Sequence, residues 1–145
     1  MDKKIKVLFV CVHNSARSQM AEALLNKLAG NRFESQSAGI TPGKLNPVVV
    51  KVMKEIGIDI SANKTKSVRD FIDRSDTFDY VITVCDAANG ERCPFFPGNV
   101  ERLHWEFDDP SVFTGTTEEK LAKTKEVRDQ IKAEIETWIS ELTEV

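Results

Sequence analysis

Residues 7–12 form an unbroken apolar run, and a second run, interrupted only by Thr83, covers residues 80–85; both end in polar, turn-forming sequence. Strands covered on both faces do not alternate polar with apolar residues, so the pattern predicts central, parallel strands over residues 5–11 and 80–85. Two weaker candidates, residues 33–37 and 100–105, both short and flanked by Gly, Pro or Asn, predict further strands. Between them the period changes to that of a helix. Met20, Leu24 and Leu28 recur at i, i+4, i+8 before Gly30, and Val49, Val52, Met53 and Ile56 repeat the period before Gly57. A shorter helix is expected around 67–74. The last pattern is the strongest: Thr116-x-x-Glu119 reads as a capping box, and Leu121, Ile131, Ile135, Trp138 and Leu142 then share one face, with Arg128 its polar exception.

Strands alternating with helices predict an α/β fold: a single doubly wound domain over residues 1–145, with a central four-stranded parallel sheet flanked by helices. In such sheets ligands bind outside the carboxyl ends of the strands, where Cys11 and Cys85 both fall. Composition agrees with one domain: 145 residues, 41% hydrophobic and 30% charged, are enough for one core without disulfides or a structural metal. Lys6 and the lysines before it precede residues 7–12 as in a signal peptide. That run is shorter than a signal core or a membrane span, so a cytoplasmic protein without a membrane partner is expected. Three cysteines do not make a paired secretory framework and point to catalytic, redox or metal-binding use. The formal charge of −3 argues against nucleic acid as a partner, and any anion must be held by a local trap.

That trap is legible after the first strand. Cys11-Val12-His13-Asn14-Ser15-Ala16-Arg17-Ser18 is a Cys-x5-Arg-Ser loop opening into a helix. Five residues can arch so that successive backbone N–H groups converge on one point, and the helix N-terminus adds its positive dipole end. Such a cradle suits a tetrahedral oxyanion held by residues 12–18. Arg17 can fork onto two of its oxygens, leaving the Cys11 sulfur in line with the central atom. The attacking species is the thiolate, which the amides, the dipole, Arg17 and the Ser18 hydroxyl all favour. Asn14 is read as bracing the loop. His13 could assist ionisation of Cys11, but a loop histidine is more often simply exposed, and it is left out of the catalytic set.

Cys11 to Ser18, continuing as Gln19-Met20-Ala21-Glu22, with Ser37-Ala38-Gly39, resembles the thioredoxin-coupled arsenate reductase branch of the low-molecular-weight protein tyrosine phosphatase superfamily. The likeness continues through Gly57-Ile58-Asp59-Ile60-Ser61, Val84-Cys85, Cys93-Pro94 and His104-Trp105-Glu106-Phe107-Asp108-Asp109-Pro110 to Val127-Arg128-Asp129. It implies that Asp109, directly before Pro110, is the general acid, with Asp108 a competitor and a turn aspartate the alternative. It also implies that Cys11, Cys85 and Cys93 form a redox disulfide relay: Cys85 attacks the Cys11 sulfur to release arsenite, and Cys93 carries the disulfide outward. No bound cofactor is expected; electrons come from thioredoxin. The expected ligand is arsenate, with phosphate or sulfate able to occupy the same loop, and the chain is expected to be a monomer. A phosphatase working through a phosphocysteine is the alternative, since it needs only Cys11, Arg17 and Asp109.

Zinc is disfavoured because Cys85-x7-Cys93-x10-His104 lacks the close cysteine pair of structural sites. The chain also departs from the family pattern, with Val12-His13 where Thr-Gly is common and Ala16 where a second cysteine often stands. Lys66 lies near the place where some members hold potassium with a carboxylate, which argues against a bound cation here.

Overall fold

The computed structural model describes residues 4–73, 78–85 and 100–143. Its strands are β1 (Ile5–Cys11), β2 (Phe33–Gly39), β3 (Tyr80–Thr83) and β4 (Glu101–His104), joined in one fully parallel sheet of order β2-β1-β3-β4. The helices are α1 (Arg17–Ala29), α2 (Pro47–Lys54), α3 (Val68–Asp73) and α4 (Thr117–Thr143), with a 3-10 turn at Pro110–Val112. The chain enters the sheet at β1, moves to the β2 edge, and then crosses to β3 on the other side. The strand order therefore reverses at the carboxyl end of β1, which opens a crevice beside Cys11.

Both faces of the sheet are covered, as the unalternating strands require. Val7, Phe9, Phe33 and Ile82 pack with Met20, Leu24 and Leu25 of α1 and with Ile131 and Ile135 of α4. On the opposite face Leu8, Val10, Ala38 and Val81 pack with Phe71 of α3 and Phe78. Burying each large side chain of this kind contributes about 1.5–3 kcal/mol. Trp138 joins α4 to the sheet through tilted and edge contacts with Phe33, Tyr80 and Trp105. Among the described residues no helix is long and apolar enough to cross a membrane.

The predicted elements are present, with shifted boundaries. β2 runs on to Gly39 because Ala38 and Gly39 pair with Val10 and Cys11. β3 stops at Thr83, and Val84 and Cys85 lie past it, with the Val84 N–H still donating to the Val10 carbonyl at 2.9 Å. β4 spans only Glu101–His104, and the third helix is Val68–Asp73. Leu28 and Ile56, expected on apolar faces, are 39% and 37% exposed: Leu28 sits in the last turn of α1, and Ile56 falls past the end of α2 in the turn that closes it.

The two glycine stops differ. Gly57 (φ 82°) ends α2 left-handed, its N–H donating to the Lys54 carbonyl and that of Ile58 to Met53, a Schellman closure. Gly30 stays right-handed at φ −62°, and the turn after it closes through Arg32 N–H on the Ala29 carbonyl. Arg128, the polar exception on α4, is buried and satisfied: Nη1 donates to the Val52 carbonyl at 2.7 Å and Nε to Asp129 Oδ1 at 2.9 Å. Val52 lies in the last turn of α2, whose carbonyls have no partner within the helix, so this contact ties α2 to α4.

Candidate active site

β1 delivers Cys11 to the carboxyl edge, and the chain then arches through residues 12–16 into α1. Asn14 makes the arch possible by adopting φ 55°, the left-handed region that asparagine tolerates better than most residues. Its backbone N–H then donates to the Cys11 sulfur at 3.1 Å. The Ser18 hydroxyl lies 2.8 Å from the same sulfur. Two polar groups thus address the sulfur of a residue only 2% exposed. No side chain caps α1 at Ala16. The first-turn N–H groups that a cap would occupy are those an oxyanion over the loop would use.

The arch is held from behind. Asn14 Nδ2 donates to Ser18 Oγ at 2.7 Å, while Asn14 Oδ1 accepts from Gln19 Nε2 at 3.0 Å and from the Lys66 backbone N–H at 2.9 Å. Gln19, fully buried, also donates to the Lys64 carbonyl and accepts from Asn63 Nδ2. Lys66 Nζ reaches Glu22 Oε1 at 3.2 Å, the same oxygen that accepts from the Ser37 hydroxyl at 2.7 Å. Gly39 lies under the loop: a Cβ there would stand 2.7 Å from the Val12 carbonyl oxygen and 2.8 Å from the Asn14 nitrogen. Only glycine permits that approach.

Arg17, 2% exposed, extends from the first turn of α1, Nη1 donating to the Phe107 carbonyl at 3.2 Å and Nη2 lying 3.4 Å from Asp109 Oδ2. Asp109 Oδ1 accepts from the Ser111 N–H at 2.9 Å, capping the Pro110–Val112 turn. The two readings of Asp109, turn residue and acid, are therefore compatible in one side chain. Asn46 Nδ2 donates to Ser111 Oγ at 3.2 Å and joins this turn to the start of α2. Cys11, His13, Ser15, Ala16, Arg17 and Asp109 line one small pocket.

Of the predicted site residues, Cys11, Arg17, Asp109 and the loop 12–18 come together. Asp108 is exposed and does not line this pocket. Cys85 is buried just beyond β3, and Cys93 lies outside the described residues. Sequence reasoning missed the supporting roles of Gln19, Glu22, Ser37 and Lys66. The first three stood inside quoted motifs, but apart from the Gln19–Asn14 bond their partners are 15 to 45 residues away and no local pattern marks them.

A sequence model of the family described as low molecular weight phosphotyrosine protein phosphatase matches residues 6–145. An arsenate reductase of Bacillus subtilis is 48% identical over 90% of this chain and 91% of its own. A solved arsenate reductase in the phosphate binding state superposes with a TM-score of 0.78 at 30% identity, covering 94% of this chain and 98% of that one. A thioredoxin-dependent arsenate reductase of Corynebacterium glutamicum, 33% identical, superposes with a TM-score of 0.62 over 94% of this chain and 64% of its own. On the match across 6–145, and on a sheet and anion loop built as described above, the chain belongs to the low molecular weight phosphotyrosine protein phosphatase family.

Proposed function

We propose that this protein is a cytoplasmic arsenate reductase that draws its electrons from thioredoxin. The observation that carries this reading is the convergence of Cys11, Arg17 and Asp109 on one pocket at the uncapped start of α1. The Cys11 thiolate attacks arsenic held by the loop and Arg17, and Asp109 protonates a departing hydroxyl, which leaves as water. Cys85 then attacks the Cys11 sulfur. A disulfide forms, the sulfur–arsenic bond breaks with its electron pair staying on arsenic, and arsenic(V) leaves as arsenic(III). Cys93 next displaces Cys11 from Cys85, and thioredoxin reduces the Cys85–Cys93 bond. The relatives' names support the reduction, and the thioredoxin-dependent relative supports the electron source.

Phosphatase activity is a second reading with its own support, because Cys11, Arg17 and Asp109 suffice to cleave a phosphomonoester. Protein mixed with arsenate, thioredoxin, thioredoxin reductase and NADPH decides between them. Arsenate-dependent NADPH oxidation, lost in Cys11→Ser, is expected; no oxidation beside robust aryl phosphatase turnover would favour the second reading.

A further inference from the structure

Asn46 stands between two walls of the Cys11 pocket, and the mechanism above gives it no part. Its backbone N–H donates at 2.9 Å to the carbonyl of Ser15, a pocket residue of the anion loop, and its own carbonyl accepts from the Val50 N–H at 3.2 Å. Its side chain caps α2, with Oδ1 accepting from the Val48 N–H at 2.9 Å. That bond settles which end of the amide is oxygen. The other end, Nδ2, is therefore a donor, and it meets Ser111 Oγ at 3.2 Å. Among side chains that cap helices well, serine and threonine are a bond shorter and aspartate has no N–H, so asparagine is the one that can cap α2 and still donate across to Ser111.

We infer that Asn46 is a positioning residue for Asp109: through Ser111 it ties the turn that carries the acid to the loop that carries the anion. The inference rests on the reading of Asp109 as the acid. The Ser111 N–H donates to Asp109 Oδ1 at 2.9 Å, while Oδ2 lies 3.4 Å from Arg17 Nη2. An oxygen that already accepts from a fixed N–H is the poorer place for a proton, so Oδ2, on the Arg17 side, is the one left to carry it. Ser15, Asn46, Ser111 and Asp109 thus make a run of contacts from one pocket wall to the other that does not pass through Arg17. When Arg17 turns its fork onto an anion, this run still holds the carboxyl by Oδ1. Asn46 itself does not line the pocket, so its effect on the reaction passes through Asp109.

The test uses Asn46→Ser, which keeps a cap for α2 but cannot reach Ser111, and Ser111→Ala, which keeps the backbone N–H to Asp109. Asn46 is half-buried and Ser111 exposed, so both variants should fold, and a thermal melt checks it. Each is made alone and on top of Asp109→Asn, and steady-state kinetics are measured with arsenate, thioredoxin, thioredoxin reductase and NADPH. Alone, each should lower kcat by about three- to tenfold with KM for arsenate unchanged, a part of what complete loss of the acid costs. On top of Asp109→Asn neither should lower kcat further, because no proton is left to place. Wild-type kcat in Asn46→Ser beside an impaired Asp109→Asn would overturn the inference, and so would falls that multiply with that of Asp109→Asn. Wild-type kcat in Asp109→Asn would overturn the acid reading itself, and the inference with it.

Discussion

Arg17 Nη2 and Asp109 Oδ2 stand 3.4 Å apart across 92 residues of sequence, the guanidinium buried and the carboxylate only 16% exposed. Arg17 is fixed by the start of α1 and Asp109 by the turn it caps. Both side chains therefore hold their positions without substrate, as a clamp and an acid must.

Asp109→Asn separates the two jobs of that carboxylate. The amide oxygen can still accept from Ser111, but the charge opposite the buried Arg17 is lost, so a modest fall in melting temperature is expected without loss of the fold. The amide has no acidic proton to give, and kcat should fall by about 10²–10⁴-fold with little change in KM for arsenate. Steady-state kinetics beside a thermal melt will check both halves.

Gly39→Ala tests the contact beneath the loop. The added methyl would stand 2.7–2.9 Å from the Val12 oxygen, the Asn14 nitrogen and the His13 carbonyl carbon, all backbone atoms that can yield only by deforming the anion cradle. A destabilisation of about 1–3 kcal/mol by urea unfolding is expected, with a larger proportional loss of phosphate affinity.

Cys85→Ser should eliminate arsenate reduction while leaving hydrolysis of an aryl phosphate, because only reduction needs a second sulfur. Cys85 is fully buried beyond β3, so a serine there also leaves a hydroxyl to satisfy, and a melt must accompany the assays. Parallel loss of both activities in a folded variant would make Cys85 structural.

The capping box of α4 carries a pH prediction. Thr116 Oγ1 accepts from the Glu119 N–H at 3.1 Å, and Glu119 Oε1 accepts from the Thr116 N–H at 3.3 Å. The Thr116 backbone N–H, then its hydroxyl, and more weakly Lys123, hold the Glu119 carboxyl below its ordinary value of 4.5, against a small desolvation effect. A depressed carboxyl contributes stability above its unfolded value, and that contribution is lost as pH falls through the folded value. Wild type should therefore lose more stability on acidification below pH 4.5 than Glu119→Gln does. Thr116→Ala should cost about 1 kcal/mol at neutral pH. Urea midpoints across pH will show both.

What the chain discloses in advance is local. An unalternating strand, a polar loop of fixed spacing and a helix follow one another within residues 5–29, so the cradle can be read directly. The Thr116/Glu119 box likewise involves residues three apart. The props under the cradle are not local: Asn14 meets Lys66, and Glu22 meets Ser37 and Lys66, through tertiary folding alone. The buried Arg128 was legible as an anomaly, but its partner, the Val52 carbonyl, is a backbone atom that no composition reveals.

The most direct test of the central claim is a single turnover. Reduced protein is mixed with excess arsenate and no reductant, arsenite is counted, and the cysteines are mapped by mass spectrometry. The relay predicts about one arsenite per chain, Cys11 free, and Cys85 bonded to Cys93. No arsenite, or arsenite formed with Cys11 bonded to Cys93 and Cys85 still a thiol, would contradict it.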